Sequence, residues 1–181
     1  DELFRLVSPP AQWQQQVFSA RDAVAQAMAI AADAARPVVI ADTQDNPGAG
    51  GDSNTTGLLH ALLAQGAGRR FPGQVALGLL FDPAAGRAAH QAGVGAEIEL
   101  ALGTAVPTFT GQPSDPPVRG RCKVRAVGDG RVTLKGPMMR GVTVNLGPCA
   151  CLDIDGVLVA VASGKKQLLD RELLRHVGIT P

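Results

Sequence analysis

The stretch PVVIADTQDNPGAGGDSNTTGLLHALL (37–63) joins a β-branched run to a leucine-rich segment through a loop thick with Gly, Asp and Asn. Val38, Val39 and Ile40 predict a short buried strand over PVVIAD (37–42). Thr43–Asn54 predicts a loop, and TTGLLHALLAQG (55–66) a helix that turns Leu58, Leu59, Leu62 and Leu63 to a core. Strand, glycine loop and helix in this order are the opening of an α/β layer, in which ligands sit beyond the carboxyl ends of strands. Working upstream, Trp13, Val17, Ala20, Val24, Met28 and Ala31 recur at three- and four-residue steps and predict a long helix over 11–35, stopped by Pro37.

Downstream, QVALGLLFD (74–82) suits a central strand, Pro83 opens a helix that Gly93 closes, and AEIELALG (96–103) alternates as a strand. This alternation of strands and helices predicts a largely parallel sheet. Four prolines in TAVPTFTGQPSDPPV (104–118) exclude a helix or central strand there. A β-rich stretch follows. Cys122, Val124 and Ala126 point one way and Arg121, Lys123 and Arg125 the other, the latter a solvated face. GDG (128–130) predicts a hairpin-type turn into RVTLK, Val142, Val144 and Leu146 alternate again, and CLDIDGVLVAVAS (151–163) predicts a hairpin about Asp155-Gly156. Asp170 then caps a final helix that Gly178 ends. The fold class is α/β: a layered sheet with helices packed on it, then a β-rich hairpin region and a C-terminal helix. The expected organisation is a single domain over 1–181, with an α/β part (1–103), a β-rich part (104–165) and a helical end (166–181).

Composition bounds the function. Apolar residues make up 45% of the 181 and charged residues 18%, which excludes a disordered chain. A net charge of +1, one Trp, five Phe and no Tyr argue against a nucleic-acid binder. No apolar run is long enough for a membrane span, and DELFRLVSPP (1–10) is not a signal peptide. Cys122, Cys149 and Cys151 are an odd set, which fits reduced thiols and a cytoplasmic protein better than a disulfide framework. The Cys149-x-Cys151 pair lacks the second pair that a structural zinc site needs.

The loop at 42–56 carries the candidate chemistry. Gly48, Gly50 and Gly51 permit close backbone approach, and Ser53 and Thr55 are candidate helix caps that can also bond an anionic ligand. It is not a phosphate loop, because Asp52 stands where a P-loop needs Lys, and no G-x-G-x-x-G is completed. Asp42, Asp45 and Asp52 would repel a phosphate, and they lack the spacing of a complete hard-metal site. Two uses remain open: ligand contact, or turn-forming and capping by the Asp residues themselves. His60, His90 and His176 lie far apart, with His60 one turn into the loop's helix. Ser163 has no nucleophile elbow about it. The chain offers a binding loop without a catalytic engine.

PVVIADTQDNPGAGGDSNTTGLLHALL, with HQAGVGAEIELALGT, KGPMMRGVTVNLGPCACLDIDGVLVAVAS and LLDRELLRHVGITP, resembles the C-terminal domain of the MlrC (microcystinase C-like) metallopeptidases. D-N-P-G-x-G-G-D is the most specific part. The resemblance implies a zinc-dependent amide or peptide hydrolase in which metal-activated water attacks the amide. Its zinc ligands would lie in an N-terminal catalytic domain absent here, leaving no cofactor in this chain alone. It implies that Asp45, Asn46, Pro47 and the adjacent glycines face the zinc-bearing cleft. The candidate substrate-binding set is thus Asp45, Asn46, Pro47, Gly48, Gly50, Gly51, Asp52, Ser53 and Thr55, with no catalytic residue and no metal ligand. The loop's backbone N–H groups and the Asn46 side chain would orient a peptide-like or small-molecule substrate. The alternative is a free-standing module that holds an anionic small molecule at the helix N-terminus. The chain starts at Asp1, which fits a part of a longer protein, and an apolar face meant for the absent domain would favour homo-oligomers.

Overall fold

The computed structural model of the chain describes residues 2–8 and 16–181. Five strands make one sheet in the order β1 (Val75–Phe81), β7 (Val157–Ala162), β6 (Cys149–Ile154), β3 (Val118–Gly128) and β2 (Glu97–Leu102). Helices α2 (Ala20–Ala31), α3 (Gly57–Ala64), α4 (Ala67–Arg70) and α5 (Pro83–Ala92) precede or separate the first strands. A two-stranded ribbon, β4 (Arg131–Thr133) with β5 (Thr143–Asn145), and the short helix α6 (Glu172–Arg175) complete the α/β layering. A separate, fully exposed helix, α1, spans Glu2–Val7.

Period-two alternation splits the core in two. Ala150 and Leu152 of β6 and Val157, Val159 and Val161 of β7 face Val24, Leu59, Leu62, Ala85 and Ala89 of the helices. Cys149, Cys151, Ala160 and Ala162 face the other way, onto Val132, Leu134 and Leu146 of the ribbon region and Leu173, Leu174 and Val177 around α6. Strands β6 and β7 are therefore covered on both faces, which explains their near-continuous apolar sequence. The Asp155-Gly156 turn has φ of 51° and 82°, the left-handed pair a two-residue hairpin needs, and an N–H from Gly156 to Asp153 supports it.

Four expectations change. The sheet is not largely parallel: only β1 and β7 run parallel, and the β7–β6, β6–β3 and β3–β2 pairs are antiparallel. The β-rich strands insert between β1 and β2, so β1 takes an edge of the sheet and not its centre. PVVIAD (37–42) forms no strand, and Val39 is 86% exposed. A β-branched run needs a ladder partner for its backbone groups. On β1's outer edge the bonds go instead to Ser53, whose carbonyl accepts the Phe81 N–H and whose hydroxyl donates to the Leu79 carbonyl. Finally, Gly128–Gly130 turns the chain, but β4 pairs with β5 and not with β3, so the turn leaves one sheet for another.

The remaining elements follow the sequence with local adjustments. Helix α2 starts at Ala20, where Ser19 caps the Asp22 N–H, so Val17 stays 74% exposed; Trp13 lies outside the described residues. Asp82 caps α5 through the Ala85 N–H and also accepts the Gly103 N–H. Arg171, not Asp170, is the N-cap of α6 and makes no side-chain capping bond; the Asp170 carboxylate accepts the Glu172 N–H two residues on, together with the Lys135 and Gly136 N–H groups that follow β4.

Candidate functional site

The 43–55 loop folds around one carboxylate. Asp45 Oδ1 accepts the N–H groups of Asp52 and Ser53, both at 2.9 Å. Its Oδ2 accepts those of Asn54 (2.6 Å) and Thr55 (2.8 Å), and the Thr55 hydroxyl at 3.0 Å. Desolvation pushes this carboxyl's pKa up, but the bonds from Thr55, Ser53 and Asn54 outweigh it and hold the value below the ordinary carboxylate range. The preceding turn closes on Asn46, whose Oδ1 accepts the Gly48 N–H at 2.8 Å. The Asn46 carbonyl takes the N–H groups of Ala49 and Gly51, and Pro47 that of Gly50. Gly51 is required here, since a Cβ would lie 2.7 Å from Asp45 Oδ1 and 2.8 Å from the Asp45 carbonyl carbon.

Every backbone N–H from Gly48 to Thr55 thus already has an acceptor inside the loop. Each of these groups would have to break an existing bond before it could orient a substrate. Ser53 and Thr55 do not cap α3 either. Their hydroxyls go to Leu79 and Asp45, and the N-cap Thr56 makes no capping bond with its side chain. What the loop presents outward is the exposed backbone of Gly48, Ala49 and Gly50 and the half-buried Asn46 and Pro47. The Asn46 amino group makes no hydrogen bond among the described residues, so it is a free donor.

The loop sits at the carboxyl ends of the parallel pair. Ser53 holds Leu79 and Phe81 of β1, the Thr104 N–H bonds the Asn54 carbonyl, and Lys165, just past β7, pairs with Asp52 at 2.8 Å. Gln167 lies over Gly48, where a Cβ would come within 2.5 Å of its Oε1. The position at strand ends is therefore as expected, but the strands are β1 and β7 and not 37–42. The 165–167 segment is the part of the site that sequence reasoning misses; nearby, only Ser163 is a candidate, as a nucleophile without its elbow.

The other candidates disperse. His60 Nε2 contacts the Pro116 carbonyl, His90 Nε2 the Gly128 and Cys149 carbonyls, and His176 Nε2 accepts the Gly130 N–H. The Ser163 hydroxyl donates to the Pro148 carbonyl. Cys149 and Cys151 share a face as their spacing predicts, but Cys122 belongs to the opposite half of the core. Burial pushes each of the three thiols up to about 11. Among the described residues no three His, Cys, Asp or Glu side chains gather to hold a metal ion, and no helix is long and apolar enough to cross a membrane.

A family model for the MlrC C-terminus matches residues 40–181. Among curated proteins, Microcystinase C of Sphingomonas sp is 29% identical over 147 residues, an alignment covering 81% of this chain and 26% of that protein. Among solved structures, a candidate metallopeptidase from Mesorhizobium sp. BNC1 superposes with a TM-score of 0.73 at 25% identity, over 92% of this chain and 31% of that one. The chain therefore spans about a quarter of its curated relative and under a third of its structural one. With the family match running from the end of the β-branched run through the glycine loop and every strand of the sheet, this chain belongs to the MlrC C-terminus family.

Proposed function

We propose that this chain is the substrate-facing domain of an MlrC-like, metal-dependent amide or peptide hydrolase, inactive by itself. The observation that carries the reading is the 43–55 loop: it is pre-folded around Asp45 at the carboxyl ends of β1 and β7, with the Asn46 amino group unspent. In this reading Asn46, Pro47, Gly48 and Gly50 touch substrate. Asp45, Gly51, Ser53 and Thr55 hold the loop in shape, and Asp52 ties it to Lys165. A loop whose internal bonds are complete needs no reordering when substrate arrives, so its contacts cost little entropy.

The residues here do not fit a zinc site. Both Asp45 oxygens face N–H and O–H donors, Nε2 of His60 and of His90 meets backbone carbonyls, and the thiols are buried on two sides of a sheet, with no group of three such side chains among the described residues. The hydrolytic metal belongs, in our proposal, to the larger part of such proteins that this chain does not span. The names of the relatives, a microcystinase and a metallopeptidase candidate, support the reaction class. Protonated, buried thiols suit the reducing cytoplasm, and exposed Val39 and Ile30 suit contact with a partner domain or a second copy.

The rival reading, an anion held at the α3 N-terminus, has two observations against it. Asp45 already fills the ring of amides from 52 to 55, and Asp115 lies so close over Gly57 that a Cβ there would be 2.9 Å from its Oδ2. A second anion would meet two carboxylates. To test the proposal, the purified chain is assayed with zinc against a panel of peptide amides. No hydrolysis is expected; zinc-dependent turnover by this chain alone overturns the reading.

A further inference from the structure

Beside the glycine loop, the ribbon and the segment after β7 enclose a cavity of about 210 Å³. Leu134 and Leu173, nearly fully buried, form its floor, and Val144, Leu169 and Met139 its walls. Lys166 and Gln167 complete the lining. Gln167 also lies over Gly48, so this side chain links the cavity's lining to the loop. Roughly 300–1,000 Å³ is usual for a pocket that holds a whole small molecule, so this cavity matches a single side chain.

We propose that this cavity is a subsite for an apolar side chain of the substrate, with Lys166 receiving a carboxylate next to it; the proposal rests on the loop facing substrate. Three observations converge on that occupant. The interior is apolar, so only an apolar group enters without losing hydrogen bonds to water. Met138 and Met139 are 57% and 51% exposed, and Leu168 is exposed beside Gln167. A flexible thioether wall of this kind adapts to side chains of different shape. Charge then selects the neighbouring group. Lys165 is spent on Asp52, and Lys135 and Arg175 on Glu172, whereas Lys166 is exposed and makes no ion pair among the described residues. Because Lys166 lines the cavity and has no ion pair among the described residues, its ammonium is available to a carboxylate attached to an apolar group seated there. The wall itself is held open by local backbone geometry. Met139 adopts a left-handed φ of 55°, and its carbonyl accepts the Val142 N–H, which turns the 134–142 segment back over the ribbon.

The test uses the chain's three methionines, Met28, Met138 and Met139, as methyl NMR reporters, with Met28 in the α2 core as the internal control. A Met138→Leu variant assigns the signals. N-acetyl-L-leucine should shift the Met139 methyl saturably and leave Met28 unmoved. N-acetyl-L-leucinamide, which lacks the carboxylate, should bind at least threefold more weakly, and N-acetylglycine should have no effect. Lys166→Ala should erase the difference between acid and amide. Val144→Phe, which fills the cavity, should abolish the Met139 response while Met28 reports an intact fold. A silent Met139 signal, or equal shifts with N-acetylglycine, overturns the subsite. The loop reading fails separately, through unchanged turnover when Asn46 is replaced, a measurement in which Met139 plays no part.

Discussion

Replacing Asp45 by Ala removes the acceptor of four consecutive backbone N–H groups and the Thr55 hydroxyl. Each hydrogen bond to a charged group contributes about 1.5–3 kcal/mol when fully buried. The loop is only partly buried and water can reach several of the freed donors, so the expected loss is about 2–4 kcal/mol in total. At roughly 2–4 °C per kcal/mol for a chain of this size, Tm should fall by about 4–16 °C. Asp45→Asn should cost nearly as much, because its amino group would face the Asn54 and Thr55 N–H groups that Oδ2 now accepts. Amide exchange at 52–55 should accelerate in both variants. The fold holds the Asp45 carboxyl below its ordinary pKa, so this stability is full above the unfolded value, about 3.9. It is lost as pH falls through the lower folded value, and the gap between wild type and Asp45→Asn should therefore narrow below about pH 4. A Tm within about 1 °C of wild type, with unchanged protection at 52–55, would refute the idea that one carboxylate organises the loop.

Two further outcomes follow from the same geometry. Gly51→Ala should destabilise the loop by about 1–3 kcal/mol, because its Cβ meets Asp45 Oδ1 and the Asp45 carbonyl carbon, neither of which can give way; thermal melts check it. With pKa values raised to about 11, Cys122, Cys149 and Cys151 should resist iodoacetamide at pH 8 in the native chain, and mass spectrometry should find three labels only after unfolding.

How far the sequence speaks depends on whether local or distant residues decide. Asp155-Gly156, the helix start at Pro83 and the alternation at 121–124 are local signals, and each appears where the residues put it. The expectation that Ala126 shares a face with Cys122 and Val124 is corrected, because a register shift between Val124 and Ala126 turns Ala126 to the opposite half of the core and Val127 to theirs. Strand order is not local. The apolar run of β1 looks central, yet it lies at the edge because the hairpin of β6 and β7 closes against it from far along the chain. PVVIAD has the composition of a strand and lacks the ladder that would make it one, since Ser53 takes the bonds on β1's outer edge. In the site, the glycines and Asp45 were legible as a specialised loop. That Asp45 itself fills the ring of amides was not, because neither the residue types nor their spacing tells an anion nest that awaits a ligand from one already filled. Lys165 and Gln167 reach the loop from more than a hundred residues away, as the Lys165–Asp52 bond shows, and no pattern in the sequence links them to it.

The most direct measurement is turnover of a peptide amide by a polypeptide that joins this chain to the remaining length its relatives span, with and without Asn46→Ala. Asn46 Oδ1 holds only the Gly48 N–H, so the variant should lose no more than about 1 kcal/mol of stability. If the free amino group of Asn46 contacts substrate, kcat/KM should fall by about tenfold or more while Tm stays within a few degrees. Unchanged kcat/KM in a correctly folded variant would contradict a substrate-facing loop and leave it a structural turn.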